Sequence, residues 1–211
     1  MVPNHKLFNL FSDIKRINSW IIFTALLAGT LVFSGCNSIR KPDYPGVIPR
    51  KDYALMGSGS VNAQQMGQFL SSINGKISTS TAKKFAEIYI QEARAENVNP
   101  DIAFVQMCLE TDYLRYGGQV LKEQYNFCGL GATDDGSEGA TFNSVREGVR
   151  AHIQHLKAYG STRSLNKHVV DPRFELVKRG SAPTIKELAG KWATDPQYAE
   201  KLARLLQRLR R

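Results

Sequence analysis

The chain is poor in cysteine, and it has no apolar run as long as a membrane-spanning helix. Only three cysteines occur among its 211 residues. No histidine stands in a local motif with Cys108 or Cys128, which argues against a thiol-protease nucleophile. The metalloprotease pattern H-E-x-x-H and internal repeats are also missing. With 42% hydrophobic residues, the chain can form the core of one domain of ordinary size, with appendages.

The N-terminus has the features of an export signal. Basic residues precede an uncharged run over residues 20–35, which is shorter than the ~20 apolar residues of a comfortable membrane span. F-S-G-C at residues 33–36 is similar to a lipobox, in which the cysteine becomes an acylated N-terminus. We therefore predict a lipoprotein signal peptide over residues 1–35 and lipidation at Cys36, which would anchor the protein in the cell envelope, as a periplasmic or outer-membrane lipoprotein. The alternative is a plain signal peptide or signal anchor.

Acidic residues are fewer than basic ones, 19 against 28, and the net charge is +9. Removal of residues 1–35 leaves 25 basic and 18 acidic side chains, a net charge of +7. Nucleic acid, anionic lipid and acidic polymers are the usual partners of such a protein. Export argues against nucleic acid. A cell-wall glycan with lactyl and peptide carboxylates fits both the charge and the compartment.

The exported part of the chain divides into a tether and a domain. Residues 36–60 are rich in proline, glycine, serine and charge and are predicted to be a flexible tether, and the folded domain is predicted over residues 61–211. Cys108 and Cys128 could pair in an oxidising compartment. We favour two small, buried free thiols, because cysteine is among the most buried residue types.

The central stretch of the domain contains a candidate acid. Asn99-Pro100-Asp101 is a helix start signal, and the helix predicted over residues 102–109 is apolar on nearly all sides. Glu110 follows at its C-terminal end, where the helix dipole and an apolar wall both raise the pKa of a carboxyl group. A carboxyl with a raised pKa can serve as a general acid near neutral pH. The alternative is a surface ion pair with Arg115.

Further candidate residues follow along the chain. The glycine-rich residues 129–142 predict a small hairpin or loop. His152 and His155 have a spacing that metal sites also use, but no third ligand stands at a recognisable spacing, so no metal or cofactor is predicted. Trp192 and Tyr198 flank a turn, where aromatic rings either stack on sugars or pack in the core.

Five segments of the chain form a recognisable set. They are L-E-T-D at 109–112, Y-N-F-C-G-L-G-A-T at 125–133, S-V-R-E-G-V-R-A-H-I-Q-H-L-K-A-Y at 144–159, V-D-P-R-F at 170–174 and A-G-K-W-A-T-D-P-Q-Y at 189–198. Together they resemble the glucosaminidase domain family, glycoside hydrolase family 73, over about residues 83–209. The resemblance implies a mainly α (α+β) fold, a lysozyme-like helical domain with a small β-hairpin lobe. It also implies a peptidoglycan hydrolase that cleaves the β-1,4 bond between N-acetylglucosamine and N-acetylmuramic acid.

The resemblance also implies roles for individual residues. The family's catalytic acid corresponds to Glu110 and its active-site tyrosine to Tyr198. The expected substrate-binding residues are Tyr125, Asn126, Phe127 and Trp192.

A second catalytic group is left open between two versions of the mechanism. Glu138 is the best candidate for a second carboxylate, followed by Asp134 and Asp135, whereas in the other version the substrate's own acetamido group is the nucleophile and Tyr198 orients it. Two functions in other classes are also left open: a non-catalytic glycan-binding lipoprotein of the envelope, and a lytic transglycosylase on the same fold.

Overall fold

A computed structural model describes residues 53–132 and 138–211 of the chain. The described residues contain α-helices and isolated β-bridges but no β-strand, which confirms the prediction of a mainly helical domain. At the predicted hairpin lobe they contain one antiparallel bridge, between Ala132 and Glu138. The α-helices are α1 (Ala63–Ile73), α2 (Thr79–Glu96), α3 (Pro100–Glu110), α4 (Val145–Gly160), α5 (Ile185–Leu188) and α6 (Tyr198–Leu209), and Lys122–Gln124 and Phe174–Leu176 form short 3₁₀ turns. None of these helices combines the length and the apolar character that crossing a membrane requires.

Helix α3 is the central helix of the domain. Its start is set by Asn99, whose side chain accepts a hydrogen bond from the backbone N–H of Asp101, and by proline at the first helical position. Every residue from Pro100 to Cys108 is buried, because α2, α4 and α6 all pack against this helix. As a consequence, a side chain at the C-terminal end of α3 stands where three other helices converge.

The amphipathic helices α1, α2, α4 and α6 surround α3. Helix α1 packs along α2, and α2 packs against α4. Helix α6 buries its leucines, among them Leu202 and Leu206, toward α3 and exposes charged residues on the opposite face. The buried apolar side chains of all these helices form one continuous core, and burial of such side chains is the main force that holds a domain together.

The folded domain begins earlier than the predicted boundary at residue 61. Leu55 is completely buried, and its backbone N–H donates to the carbonyl of Pro183 at 2.9 Å. Its carbonyl accepts from the N–H of Asn99 at 2.8 Å. Residues 53–60, which the sequence assigns to the tether, therefore pack on the domain. Tyr53 and Met56 of this segment also pack against the core.

An unusual turn follows α3. Asp112, Tyr113 and Leu114 all have positive φ angles, between 46° and 61°, in the left-handed region that non-glycine residues rarely occupy. The turn is held by Thr111, whose hydroxyl donates to the carbonyl of Met107 and accepts from the N–H of Leu114. These bonds fix the backbone directly after Glu110.

Candidate active site

Glu110 ends α3 and projects into a groove of about 390 Å³. Its Oε1 atom accepts two hydrogen bonds, from the hydroxyl of Tyr198 at 2.5 Å and from the indole N–H of Trp192 at 3.1 Å. Within the described part of the chain, Oε2 has no hydrogen-bond donor. The predicted alternative, an ion pair with Arg115, is not formed, because Arg115 pairs with Asp112 and donates to the carbonyl of Ile73.

The carboxyl group of Glu110 is open to the groove and yet poorly solvated. Its surface is exposed, but protein atoms surround it on the other sides because it lies at the floor of a concave site. This desolvation raises the pKa of Glu110 to about 7, against the opposing effect of the hydrogen bonds from Tyr198 and Trp192. The sequence-based expectation of a raised pKa therefore has a structural cause. At neutral pH a large fraction of Glu110 carries a proton.

A chain of buried hydrogen bonds leads to Glu110 from the far side of the core. The hydroxyl of Tyr89 contacts Nδ1 of His152 at 3.0 Å, and Nε2 of His152 contacts the side-chain oxygen of Gln106 at 3.0 Å. The amide nitrogen of Gln106 donates to the hydroxyl oxygen of Tyr198 at 2.7 Å, and Tyr198 donates to Glu110. We call these five residues the Tyr89–Glu110 chain. It connects α2, α4, α3 and α6.

The donors of the Tyr89–Glu110 chain all point the same way. Burial, with a smaller effect from the charge of His155, lowers the pKa of His152 to about 3, so this imidazole is neutral. Because Nε2 must donate to the oxygen of Gln106, Nδ1 is the acceptor, and Tyr89 donates to it. Each later member donates to the next, and the last proton is directed at Oε1 of Glu110. Aligned hydrogen bonds of this kind strengthen one another.

The groove wall facing Glu110 is a loop that includes residues 128–132. Asn126 holds this loop: its amide nitrogen donates to the carbonyls of Leu130 and Ala140, and its oxygen accepts from the N–H of Leu130 at 3.0 Å. Asn126 is completely buried. The expectation that the Asn126 side chain binds substrate is corrected, because both of its amide atoms are used to shape the wall.

Phe127 is likewise not a substrate-binding residue in this structure. Its side chain is 4% exposed, and its ring lies 5.0 Å from the ring of Phe85 in the core. Tyr125, in contrast, is exposed, but it does not line the groove around Glu110. Of the four expected substrate-binding residues, Trp192 is the one that the structure places in that groove.

The expected second carboxylate is not brought to Glu110 within the described residues. Glu138 is exposed and does not line the groove, and its backbone carbonyl accepts a hydrogen bond from Gln124. Asp134 and Asp135 lie outside the described residues. Among the described residues that line the groove, Glu110 is the only carboxylate.

Helix α4 contributes a second titratable group to the groove. His155 lines it and binds the buried carboxylate of Asp171 through Nδ1, with a distance of 2.8 Å to Oδ2. Arg173 and Lys191 also line the groove, so its rim is basic. His152 and His155, which share a metal-like spacing in the sequence, thus have separate partners, and both ring nitrogens of His152 are hydrogen-bonded to protein atoms. The described residues contain no group of three or more side chains suited to hold a metal ion.

The two cysteines of the domain are free and buried, as the sequence analysis favours. Cys108 lies in α3, and Cys128 lies in the groove wall. Burial raises the pKa of both thiols, so neither is a thiolate near neutral pH.

Sequence reasoning did not find Gln106, Asp171 or Arg173 as parts of the site. A signal for Gln106 exists, since it is a lone amide in an otherwise apolar helix, and a buried polar group requires a partner. Asp171 and Arg173 belong to V-D-P-R-F, a segment used above only to establish a resemblance. Their contact with α4 depends on how a loop returns to the helix, which spacing along the chain does not show.

Most of the chain matches a known protein family and known relatives. A family model described as Glucosaminidase, mannosyl-glycoprotein endo-beta-N-acetylglucosaminidase, matches residues 86–211. An uncharacterized protein of Borreliella burgdorferi (strain ATCC 35210 / DSM 4680 / CIP 102532 / B31) is 45% identical over 155 residues, which are 74% of this chain and 76% of that protein. Among solved structures, the crystal structure of S. aureus autolysin E in complex with the muropeptide NAM-L-Ala-D-iGlu is similar, with 15% identity, a TM-score of 0.49, and coverage of 75% of this chain and 71% of that chain.

Proposed function

The chain belongs to the glucosaminidase family, and from that premise we propose that it is an endo-β-N-acetylglucosaminidase of peptidoglycan. The bond cleaved is the β-1,4 bond between N-acetylglucosamine and N-acetylmuramic acid, and Glu110 is the general acid. The observation that carries the proposal is the environment of Glu110: a solvent-accessible carboxyl with a pKa of about 7, held by two donors at the floor of a groove.

The two oxygen atoms of Glu110 have different tasks in this mechanism. Tyr198 and Trp192 both donate to Oε1, so the acidic proton is carried by Oε2, which faces no protein donor among the described residues. Oε2 gives this proton to the bridging oxygen of the glycosidic bond while positive charge develops at the anomeric carbon. The leaving sugar departs as a neutral alcohol, so no alkoxide forms.

Tyr198 and Trp192 stabilise the carboxylate that the proton transfer creates. A hydrogen bond to a charged acceptor is about twice as strong as one to a neutral acceptor. The two donors thus bind Glu110 more strongly after it has lost its proton than before. Interactions that strengthen along the reaction lower its barrier, which is the contribution we assign to Tyr198.

The basic groove rim supports an anionic glycan as the substrate. Arg173 is exposed at the groove, and no carboxylate among the described residues pairs with it. Lactyl and stem-peptide carboxylates give peptidoglycan the opposite charge, and the net charge of +7 on residues 36–211 favours association with such a polymer.

The test is a digest of purified peptidoglycan, with the products reduced by borohydride and identified by mass spectrometry. We expect new reducing ends on N-acetylglucosamine. Reducing ends on N-acetylmuramic acid would contradict the proposed bond, and anhydro ends would show a lytic transglycosylase. A protein that pellets with the polymer but releases no products would be a glycan-binding protein without activity.

Replacement of Glu110 by glutamine tests the assignment of the acid. Glu110→Gln keeps the shape and the acceptor for Tyr198 but cannot donate a proton, so the rate should fall by about 10²–10⁴-fold. Glu87→Gln is the matched control, because Glu87 is a partly exposed residue of α2 that forms an ion pair with Lys83 at the surface and does not line the groove. Cleavage by Glu110→Gln at the rate of this control would rule out Glu110 as the acid.

We also propose that the protein is lipid-anchored in the cell envelope through Cys36. The support is the F-S-G-C sequence after an uncharged run, together with a tether that would let the domain reach a wall polymer. Metabolic labelling with a fatty-acid analogue, comparing the intact protein with Cys36→Ala, is the direct test. Label on the wild type that disappears in the variant is the expected result, and an unlabelled wild type would contradict the anchor.

A further inference from the structure

We propose that His155 is the general base of this glycosidase and that Asp171 is its positioning residue. His155 would take a proton from the water molecule that attacks the anomeric carbon on the face opposite the leaving oxygen. The inference rests on the proposed function, since it supplies the second catalytic group of that reaction. It replaces both versions left open by the sequence, a second carboxylate and assistance by the substrate.

The geometry of His155 is that of an oriented base. Its Nδ1 atom is 2.8 Å from Oδ2 of Asp171, and the other carboxylate oxygen accepts from the backbone N–H of Arg173 at 2.8 Å. Gln154 accepts from the backbone N–H groups of Val170 and Asp171 and so holds this segment on α4. A carboxylate bound to Nδ1 keeps the hydrogen there in the neutral imidazole, and it leaves the lone pair on Nε2.

The Nε2 atom is available to the contents of the groove. It makes no hydrogen bond to any residue within 53–132 or 138–211, although His155 as a whole is only 8% exposed. His155 lines the same groove as Glu110. A nearly buried imidazole that commits one nitrogen to a carboxylate and presents the other to a groove has the arrangement that a base needs.

One side chain contacts both His155 and Glu110. The rings of His155 and Trp192 have centroids 5.1 Å apart, and Nε1 of Trp192 is 3.1 Å from Oε1 of Glu110. All three side chains line the same groove. Inverting glycosidases keep their acid and base about 6.5–9.5 Å apart, to leave room for water on the far face of the sugar, and the proposal requires such a gap between Glu110 and Nε2 of His155.

Charged and titratable groups face His155 from each neighbouring element. Asp171 is bonded to Nδ1 of His155, and the cationic side chains of Arg173 and Lys191 line the same groove. His152, one turn earlier on α4, is neutral because burial lowers its pKa to about 3. The remaining groups are the ring of Tyr159 on α4, the indole of Trp192, the thiol of Cys128 and the carboxyl of Glu110.

The proposed step balances in atoms and charge. Glu110 gives its proton to the bridging oxygen, and the bond between that oxygen and the anomeric carbon breaks. The oxygen of water forms a new bond to the anomeric carbon, and one of its protons moves to Nε2 of His155. His155 then releases this proton to solvent, and Glu110 takes one from solvent, so the enzyme returns to its initial state.

The first test is the stereochemistry of the product. A β-linked soluble oligomer of alternating N-acetylglucosamine and N-acetylmuramic acid is cleaved in the NMR tube, and the new anomeric proton is recorded before mutarotation. Attack by water from the opposite face gives the α-anomer first. The β-anomer would overturn the role of His155 but leave the proposed function intact, whereas the absence of any new N-acetylglucosamine end would overturn both.

The second test uses His155→Asn, which keeps a polar side chain at Nδ1's position but cannot take a proton. We expect kcat to fall by about 10²–10⁴-fold with little change in KM, and the acidic limb of the pH–rate profile to disappear. His168→Asn is the matched control, because His168 is an exposed histidine beside Arg150 and does not line the groove. If His155→Asn retains the acidic limb, the proposal is wrong.

The third test distinguishes a positioning role of Asp171 from a purely structural one. Asp171→Asn keeps an oxygen that can accept from Nδ1 but removes the negative charge beside the imidazole. The acidic limb should therefore move to lower pH, and kcat should fall less than in His155→Asn. An unchanged limb would show that Asp171 only supports the fold. Glu138→Gln should keep wild-type activity, and a loss there equal to that of His155→Asn would favour a second carboxylate instead.

Discussion

At the scale of single residues, the raised pKa of Glu110 suits the proposed proton transfer but lowers the stability of the fold above neutral pH. Desolvation in the groove raises the pKa of its carboxyl to about 7, from an ordinary value of 4.5. A carboxyl with a raised pKa stabilises the folded state only while it is protonated. Its favourable contribution is complete below pH 4.5 and is lost as the pH rises through 7. The groove therefore keeps the carboxyl of Glu110 protonated at the expense of stability above neutral pH.

The first prediction follows from this loss of stability as the pH rises. Glu110→Gln, which cannot ionise, should be more stable than the wild type above pH 7 and equally stable near pH 4. We expect a rise of about 2–4 °C in Tm at pH 8.5, equivalent to about 1 kcal/mol for a chain of this size after allowance for solvent screening at an open groove. Thermal denaturation followed by circular dichroism at pH 4, 6 and 8.5 measures the effect.

Glu87→Gln is again the control, because Glu87 pairs only with Lys83 on the surface and its Tm should change little at each pH. A Tm difference between Glu110→Gln and the wild type that stays constant with pH would show that Glu110 is not destabilising when ionised.

At the scale of elements, the otherwise apolar helix α3 contains one buried amide side chain that orients a residue of the site. Gln106 is buried in α3 two side chains from the groove, and it connects His152 of α4 to Tyr198 of α6. Without it, the hydroxyl proton of Tyr198 would be free to rotate away from Glu110. The packing of α3 between α4 and α6 therefore directs the hydroxyl proton of Tyr198 toward Glu110.

The second prediction concerns Gln106→Met, which keeps the length of the side chain and removes its polar atoms. Nε2–H of His152 and the oxygen of Tyr198 would lose their partners, at a cost of about 1–3 kcal/mol per buried unsatisfied group. We expect kcat to fall about 10-fold. We also expect the basic limb of the pH–rate profile to move to higher pH, because a weaker bond from Tyr198 raises the pKa of Glu110. Urea unfolding and pH–rate profiles provide the two measurements.

Tyr89→Phe provides the comparison at the far end of the chain. It removes the donor to Nδ1 of His152 but leaves Gln106 and Tyr198 in place. Its effect on the basic limb should have the same direction and be smaller. If Gln106→Met loses stability but keeps the wild-type limb, the Tyr89–Glu110 chain is structural only.

The elements themselves were largely predictable from the sequence. The cap at Asn99, the apolar length of α3 and the place of Glu110 at its end follow from local rules, and the structure confirms them. Phe127 shows where local rules stop. It stands beside glycines in a polar loop, and only the position of Phe85 on another helix decides that its ring is buried. The contact between His155 and Asp171 also depends on tertiary structure, because the loop that follows α4 folds back onto this helix. Spacing along the sequence does not reveal that contact.

At the scale of the whole molecule, buried charges fasten the helices that form the groove. The carboxylate of Glu92 on α2 accepts from Arg146 and Arg150 of α4 and from Lys167 in the loop that follows. Burial alone would raise the pKa of Glu92, but the three cationic donors outweigh it and hold the pKa at about 2. The connection matters for the site, because α4 also carries His152 and His155.

The last prediction is that Glu92→Gln destabilises the protein by about 3 kcal/mol at pH 7. Breaking a buried ion pair costs about 3–5 kcal/mol, and the lower end applies because the three cations are partly solvated. The contribution of Glu92 is fully present above pH 4.5 and is lost as the pH falls toward 2, since its folded-state pKa is lowered. Urea unfolding at pH 7, 4 and 2.5 should therefore show a difference between variant and wild type that shrinks with acidification. A difference of equal size at all three pH values would mean that Glu92 acts through its shape and hydrogen bonds, and that its charge does not hold α2 to α4.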